Sequence, residues 1–213
     1  MTTRILLVES RRLVREGLAS LLEREDDLRV VGQTGDGAEG VRLAVEHRPT
    51  VAVIDLNPDG MNGVDFTQAL RNRVPEASVL CLSDSEGAGM VRAALDAGAR
   101  GFMLNDCSAE ELAFAIRAVV AHRLYLSPTV AAHAVDSYRE PAAATGAFRQ
   151  LTPMERRVVQ LLAEGHSTKQ AAGLLCVSFK TVSTHRQHAM FKLGLQSVAH
   201  LTRYALREGL TRL

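Results

Sequence analysis

Lysine is almost missing from this chain, occurring only at Lys169, Lys180 and Lys192. Any phosphate pocket built from earlier residues therefore has no ammonium to draw on. Cysteine is scarce too: Cys81, Cys107 and Cys176 are odd in number and lack metal-ligand spacing, which argues against a disulfide framework or a zinc site and for reduced thiols. No stretch approaches the roughly 18 to 20 consecutive apolar residues of a membrane span. Met1-Thr2-Thr3-Arg4 leads straight into an apolar run and does not resemble a signal peptide, so the expectation is a cytoplasmic protein with no membrane partner.

What is present divides by charge. From residue 151 onward nine Lys and Arg face three acidic residues, a net of +6, whereas the remainder carries 16 basic against 21 acidic residues, a net of −5. An overall charge of +1 thus hides a basic tail on an acidic partner, the asymmetry expected when one domain meets a phosphate backbone. The length of 213 residues and an apolar fraction of 46% allow two modest cores. The expected division is an α/β domain over 1–126, a linker with a helix over 127–150, and an all-α four-helix domain over 151–213.

The basic tail reads as a helix-turn-helix. Thr152 followed by Glu155, with Pro153 between, is a capping-box pattern opening a helix that stops near Gly165. Ser167 caps a short second helix, and Ser178 caps a third that ends at Gly194. On that third helix Val182, Ala189, Met190 and Leu193 share an inward face. Ser183, Thr184 and Gln187 lie one turn apart on the outward face, where hydroxyls and an amide can read base edges in a major groove. Lys180, Thr181, His185, Arg186 and Lys192, with Lys169 from the preceding helix, are assigned to phosphates; His185 reads equally well as a packed residue. The partner implied is double-stranded DNA.

The first 125 or so residues alternate apolar runs with helical patterns. Ile5–Val8, Leu28–Val31, Val51–Ile54, Val79–Leu82 and Gly101–Leu104 read as strands, with helices between and after them. Five such units predict a parallel sheet of flavodoxin-like order, 2-1-3-4-5, with helices on both faces. Chemistry in such a sheet gathers at the carboxyl ends of its strands, here Glu9, Asp55, Ser83 and Asn105. An acid at the end of strand three facing another acid is an arrangement that binds a hard divalent cation and phosphorylates a carboxylate. A dehalogenase-type phosphatase is disfavoured, because Asp55-Leu56-Asn57 lacks the second aspartate such enzymes use as acid and base; no catalysis is expected.

Residues in both halves resemble the NarL/FixJ family of response regulators, with an atypical receiver domain and a LuxR-type helix-turn-helix. The resemblance rests on Leu13-Val14-Arg15-Glu16-Gly17-Leu18, Gly35-Asp36-Gly37, Asp55-Leu56, Gly60-Met61-Asn62-Gly63, Ala97-Gly98-Ala99-Arg100-Gly101-Phe102 and Tyr125-Leu126-Ser127-Pro128, besides the tail. It implies that Asp55 stands at the phospho-acceptor position and Ser83 at the hydroxyl that meets the phosphoryl group. It also implies a pocket of Glu9, Ser10, Asp55, Asn57, Ser83, Phe102 and Asn105. The usual pair of aspartates after strand one is here Glu9-Ser10, and the usual lysine after strand five is Asn105. These changes predict weak magnesium binding at Glu9 and Asp55 at best, no other cofactor, and poor phosphotransfer to Asp55. Control would then pass to dimerisation, or to a small molecule or protein acting at the receiver. Ser197 caps a fourth helix whose Val198, Leu201 and Tyr204 would buttress the bundle or pair with a second copy; in the family this helix pairs two DNA-binding domains, which implies a homodimer through Ser197, Val198, Leu201 and Tyr204. Two alternatives stay open: a conventional regulator activated by phosphorylation of Asp55, and a partner-sequestering protein with weak DNA binding.

Overall fold

A computed structural model describes residues 2–84, 88–139, 151–207 and 210–211. The chain forms two compact units, one built on a sheet and one on helices. The expected tether over Glu140 to Ala147 lies outside the described residues.

The first unit runs β1 (Thr3–Val8), α1 (Arg12–Leu22), β2 (Leu28–Thr34), α2 (Gly37–His47), β3 (Val51–Asp55), α3 (Gly63–Arg73), β4 (Ser78–Ser83), α4 (Ala88–Ala97), β5 (Gly101–Leu104) and α5 (Ala109–Val120). It is followed by β6 (Tyr125–Leu126) and α6 (Pro128–Arg139). All strand pairs are parallel, in the order β2-β1-β3-β4-β5-β6. The sheet therefore has one strand more than the five expected. The extra strand is two residues long, too short for any periodic signal, and exists because the Tyr125 amide donates to the Arg100 carbonyl at 3.0 Å and the Ser127 amide to Phe102 at 3.1 Å.

Every residue of β3 and β4 is buried, as strands covered on both faces must be. One face packs Ile5, Leu7, Val53, Leu80 and Met103 against Leu112, Ile116 and Val119 of α5. Phe66 and Leu70 of α3, both fully buried, cover the opposite side, where Gly40 lets α2 come close: a Cβ there would stand 2.9 Å from Val8 and 3.0 Å from Phe66. Burial also pushes the Cys81 thiol up to about 12, so it is an inert core group.

The second unit contains α7 (Pro153–Ala163), α8 (Thr168–Leu174), α9 (Phe179–Lys192) and α10 (Val198–Arg207). The expected caps are in place. Thr152 and Glu155 close a reciprocal capping box on α7, Ser167 and Gln170 close another on α8, and Ser178 accepts from the Thr181 amide at the start of α9. Each of these helices then ends on a left-handed residue with a six-residue return bond: Gly165, Cys176 and Gly194 supply the positive φ, and the amides of His166, Val177 and Leu195 donate to Leu161, Ala172 and Met190.

Two side chains tie the bundle together at long range. Lys192 Nζ, at the last turn of α9, donates to both carboxylate oxygens of Glu155, at 3.0 and 2.7 Å, and Glu155 is almost wholly buried. Burial pushes the Glu155 carboxyl up, but the Lys192 ammonium and the Thr152 amide outweigh it and leave the group below the usual glutamate range. Leu201 and Tyr204 are buried within the protein, where α10 packs on α7.

Two outcomes follow for stability. Cys176 pays the left-handed penalty that glycine avoids, so Cys176→Gly should raise unfolding free energy by about 1 kcal/mol in urea titration. Lys192→Ala strands a buried carboxylate and should cost about 1–3 kcal/mol, discounted because the ammonium is partly exposed. Since the Glu155 pKa is depressed on folding, its contribution is present above the ordinary glutamate pKa and fades as pH falls through the lower folded value. The wild type should thus lose its advantage over Lys192→Ala in acid melts below about pH 4.

Candidate receiver pocket and nucleic-acid interface

The parallel register brings four strand ends to one edge. Val8 pairs with Ile54, Asp55 with Leu82, and Ser83 with Leu104. Beyond them the Glu9 amide donates to Thr34, the Leu56 amide to Leu82 and the Asn105 amide to Ser83. Glu9, Asp55 and Ser83 are each nearly inaccessible to solvent, at 2%, 1% and 3%. Asn57 and Ser10 are half-buried at the same edge, whereas Phe102 is fully buried in the sheet and contributes packing.

The loop after β3, which carries Pro58-Asp59, is pinned by backbone bonds to the Gly35-Asp36-Gly37 string. The Asp59 amide donates to Gly35 at 2.9 Å, and the Gly37 amide donates to Asp59 at 2.8 Å. Asp36 caps α2 through the Glu39 amide, and Gly60 sits at φ 73°, where a Cβ would strike the Asp36 carboxylate. Two of the glycine strings that carried the resemblance thus meet because each needs the other's lack of a side chain.

One residue that sequence reading overlooked dominates the pocket. The Arg11 backbone amide and Nε donate to Glu9 Oε1 at 2.8 and 3.0 Å, and its Nη2 donates to Oε2 at 3.1 Å. Its remaining nitrogen, Nη1, lies 3.4 Å from Asp84 Oδ2. The Asn105 side-chain amide takes the other Asp84 oxygen at 2.5 Å. The guanidinium's hydrogen bonding to Glu9, only partly offset by burial, and the charges of Glu9, Asp84 and Asp55 raise the Arg11 pKa further above its ordinary value. Arg15 reaches the same turn, donating from Nη1 to the carbonyls of Glu9 and Ser10 at 2.5 and 3.5 Å. The run Ser10-Arg11-Arg12 beside Glu9 is the sequence signal for this cation, a guanidinium in place of an ammonium.

These residues do not fit the magnesium ion that receivers of this kind imply. Ser10 offers no carboxylate where a second aspartate would ligate, and both oxygens of Glu9 already accept from a guanidinium. Among the described residues no group of three or more His, Cys, Asp or Glu is arranged to hold a metal.

On the helical unit, Thr184 and Gln187 are exposed on α9 and Ser183 is half-buried on the same side. The Thr184 hydroxyl donates back to the Lys180 carbonyl at 3.0 Å. Lys169 and Lys180 are exposed cations. The other residues assigned to phosphates are partly committed within the domain. Thr181 shares a hydroxyl contact of 2.8 Å with Ser178, Arg186 reaches Thr168 at 3.4 Å, and His185 is half-buried with its Nδ1 turned away from solvent. Lys192 is held by Glu155, so its charge is already balanced in the free protein. Of the residues assigned to the dimer helix, Ser197 caps it through the His200 amide and Val198 is exposed at 42%, while Leu201 and Tyr204 are core. Phe191, 88% exposed one turn beyond Gln187, was not foreseen on the outward face; hydrophobic spacing alone would have marked it for the interior.

Known proteins match along both units. Residues 5–117 match the response regulator receiver domain, and residues 149–205 match the bacterial regulatory proteins of the luxR family. The chain is 33% identical over 207 residues to the transcriptional regulatory protein LiaR of Bacillus subtilis (strain 168), covering 97% of this chain and 98% of that one. It is 31% identical over 213 residues to the oxygen regulatory protein NreC of Staphylococcus aureus (strain JH9), with coverage of 97% and 98%. RcsB from Salmonella enterica serovar Typhimurium, solved bound to promoter rprA, shares the fold at 22% identity and a TM-score of 0.67, over 96% of this chain and 98% of that chain. With a receiver matched to its sheet and a LuxR-type reader matched to its helices, the chain belongs to the NarL/FixJ family of response regulators, the DNA-binding transcription regulators of two-component systems.

Proposed function

We propose that this protein binds duplex DNA as a homodimer and that its output does not depend on ordinary phosphorylation of Asp55. The observation that carries the second half is Asn105: the position of the usual lysine holds a neutral amide, and that amide is engaged by Asp84 at 2.5 Å. A phosphoryl group on Asp55 would bring nearly two negative charges to an edge that already holds Glu9 and Asp84, with no ammonium to meet it. Without that lysine, and with Arg11 already paired to Glu9, neither the transferring phosphoryl nor the activated state is stabilised in the usual way.

The DNA reading draws on the basic charge of the tail and on the exposed polar side of α9. A module of this size buries little DNA surface, which favours two copies on paired half-sites about one helical turn apart. Exposed apolar side chains supply candidate contacts between copies: Leu13 at 84% on α1, Phe114 at 59% on the neighbouring α5, and Val198 on α10. Control then rests with dimerisation, or with an effector or partner acting at the receiver.

Intact-mass analysis, sizing and mobility shift of the purified chain, with and without an acyl phosphate donor plus magnesium, test the regulatory half. The expected result is no aspartyl phosphate, a dimer in both samples, and equal DNA affinity. Stoichiometric aspartyl phosphate that tightens DNA binding in the wild type but not in Asp55→Ala would overturn it. For the interface, Gln187→Ala should lose about 1–3 kcal/mol of discrimination between specific and random duplex. Lys180→Ala should weaken both alike and flatten the salt dependence by about one unit. Identical behaviour of the two variants in salt-titrated binding would refute that division.

A further inference from the structure

Arg11 occupies a position that local helix chemistry does not explain. It is the N-cap of α1, where serine, threonine or aspartate would normally accept a backbone amide, and its side chain makes no cap bond. Instead the carboxylate of Glu9 folds over the helix entrance and takes three donors from Arg11, one from the backbone and two from the guanidinium. Glutamate reaches there because it is one methylene longer than the aspartate commonly found at this point. The guanidinium then continues toward Asp84, whose second oxygen is bound by Asn105. A single connected path, Glu9 to Arg11 to Asp84 to Asn105, thereby crosses the carboxyl ends of β1, β4 and β5 and passes Asp55 at the end of β3.

We propose that Arg11 is the resident cation of this pocket, standing where a divalent metal would otherwise meet Glu9 and holding the strand ends in one metal-independent arrangement. This rests on the reading of the receiver as one not driven by ordinary phosphotransfer, and it assigns that property a cause. A guanidinium keeps its proton under all working conditions, so the cation is permanent. It is tethered two residues from its carboxylate, and a free ion must displace it against a high effective concentration. Its Nε and Nη2 are committed to Glu9 and its Nη1 faces Asp84, so the charge that a metal would bring to a phosphoryl oxygen is already shared between two carboxylates. Arg15, bound to the carbonyls of Glu9 and Ser10, puts a second positive charge at the same turn and adds to the barrier against an incoming cation.

Titration of the full chain with Mn2+, reading the free ion by spin resonance, tests the assignment. The wild type should bind Mn2+ weakly, and Arg11→Lys, which keeps a tethered cation and guards against loss of the fold, should stay close to it. Arg11→Gln should bind about tenfold more tightly or better, because Glu9 is released from its tethered competitor. Adding Glu9→Gln to that variant should abolish the gain. The assignment is overturned if Arg11→Gln binds no more tightly than the wild type, if its gain survives Glu9→Gln, or if the wild type itself holds Mn2+ firmly and loses it in Glu9→Gln. Intact mass after adding an acyl phosphate donor to the same samples separates the two ideas. Firm Mn2+ binding by the wild type without aspartyl phosphate strikes only the role of Arg11, whereas aspartyl phosphate on the wild type strikes the regulatory reading itself.

Discussion

Carboxylates crowded at one edge of a parallel sheet must be neutralised, and in this receiver an arginine does it. Parallel strands place all their carboxyl ends on the same side, so Glu9, Asp55 and Asp84 come together whatever their use. Buried carboxylates left to themselves would raise one another's pKa and take up protons. The Arg11 guanidinium, bidentate on Glu9 and within 3.4 Å of Asp84, supplies the opposing charge from within the chain. The Asn105 amide completes the same path with a dipole where a lysine would have brought a full charge.

That arrangement changes what the receiver is suited to do. A metal and a phosphoryl group come and go, and a site that depends on them has two states. With Arg11 as the proposed resident cation, the site favours one. The sheet, its helices and the glycine contacts that seat the loop after β3 are all retained. The helical unit is built on the opposite plan. Its charges are mostly outward and positive, and among the described residues its one buried carboxylate, Glu155, is matched by a lysine from the far end of α9. The same two residue types thus separate by role: arginine closes the acidic pocket, and lysine divides between holding the bundle and facing solvent.

Much of this was legible along the chain. Capping boxes, glycine stops and helical spacing act over four or five residues, and they located α7, α8 and α9 within about two residues. The apolar runs marked β1 and β3 to β5, because strands buried on both faces tolerate little else. Strand ends could be read as a site because a parallel sheet has a single carboxyl edge. The short β6 escaped, since two residues carry no period, and the choice between core and partner for Leu201 and Tyr204 stayed open, since a helix face can serve either with the same spacing.

By itself the sequence determined the elements, their order, the acidic edge and the missing second aspartate and lysine, all of which are local or compositional properties. Tertiary structure decided which charges meet. Arg11 and Asp84 stand 73 positions apart and Glu155 and Lys192 stand 37 apart, and no local periodicity encodes either encounter. The reason is physical: hydrogen-bonded turns are set by neighbours along the backbone, whereas an ion pair depends on where two distant side chains are carried by the packing of everything between them.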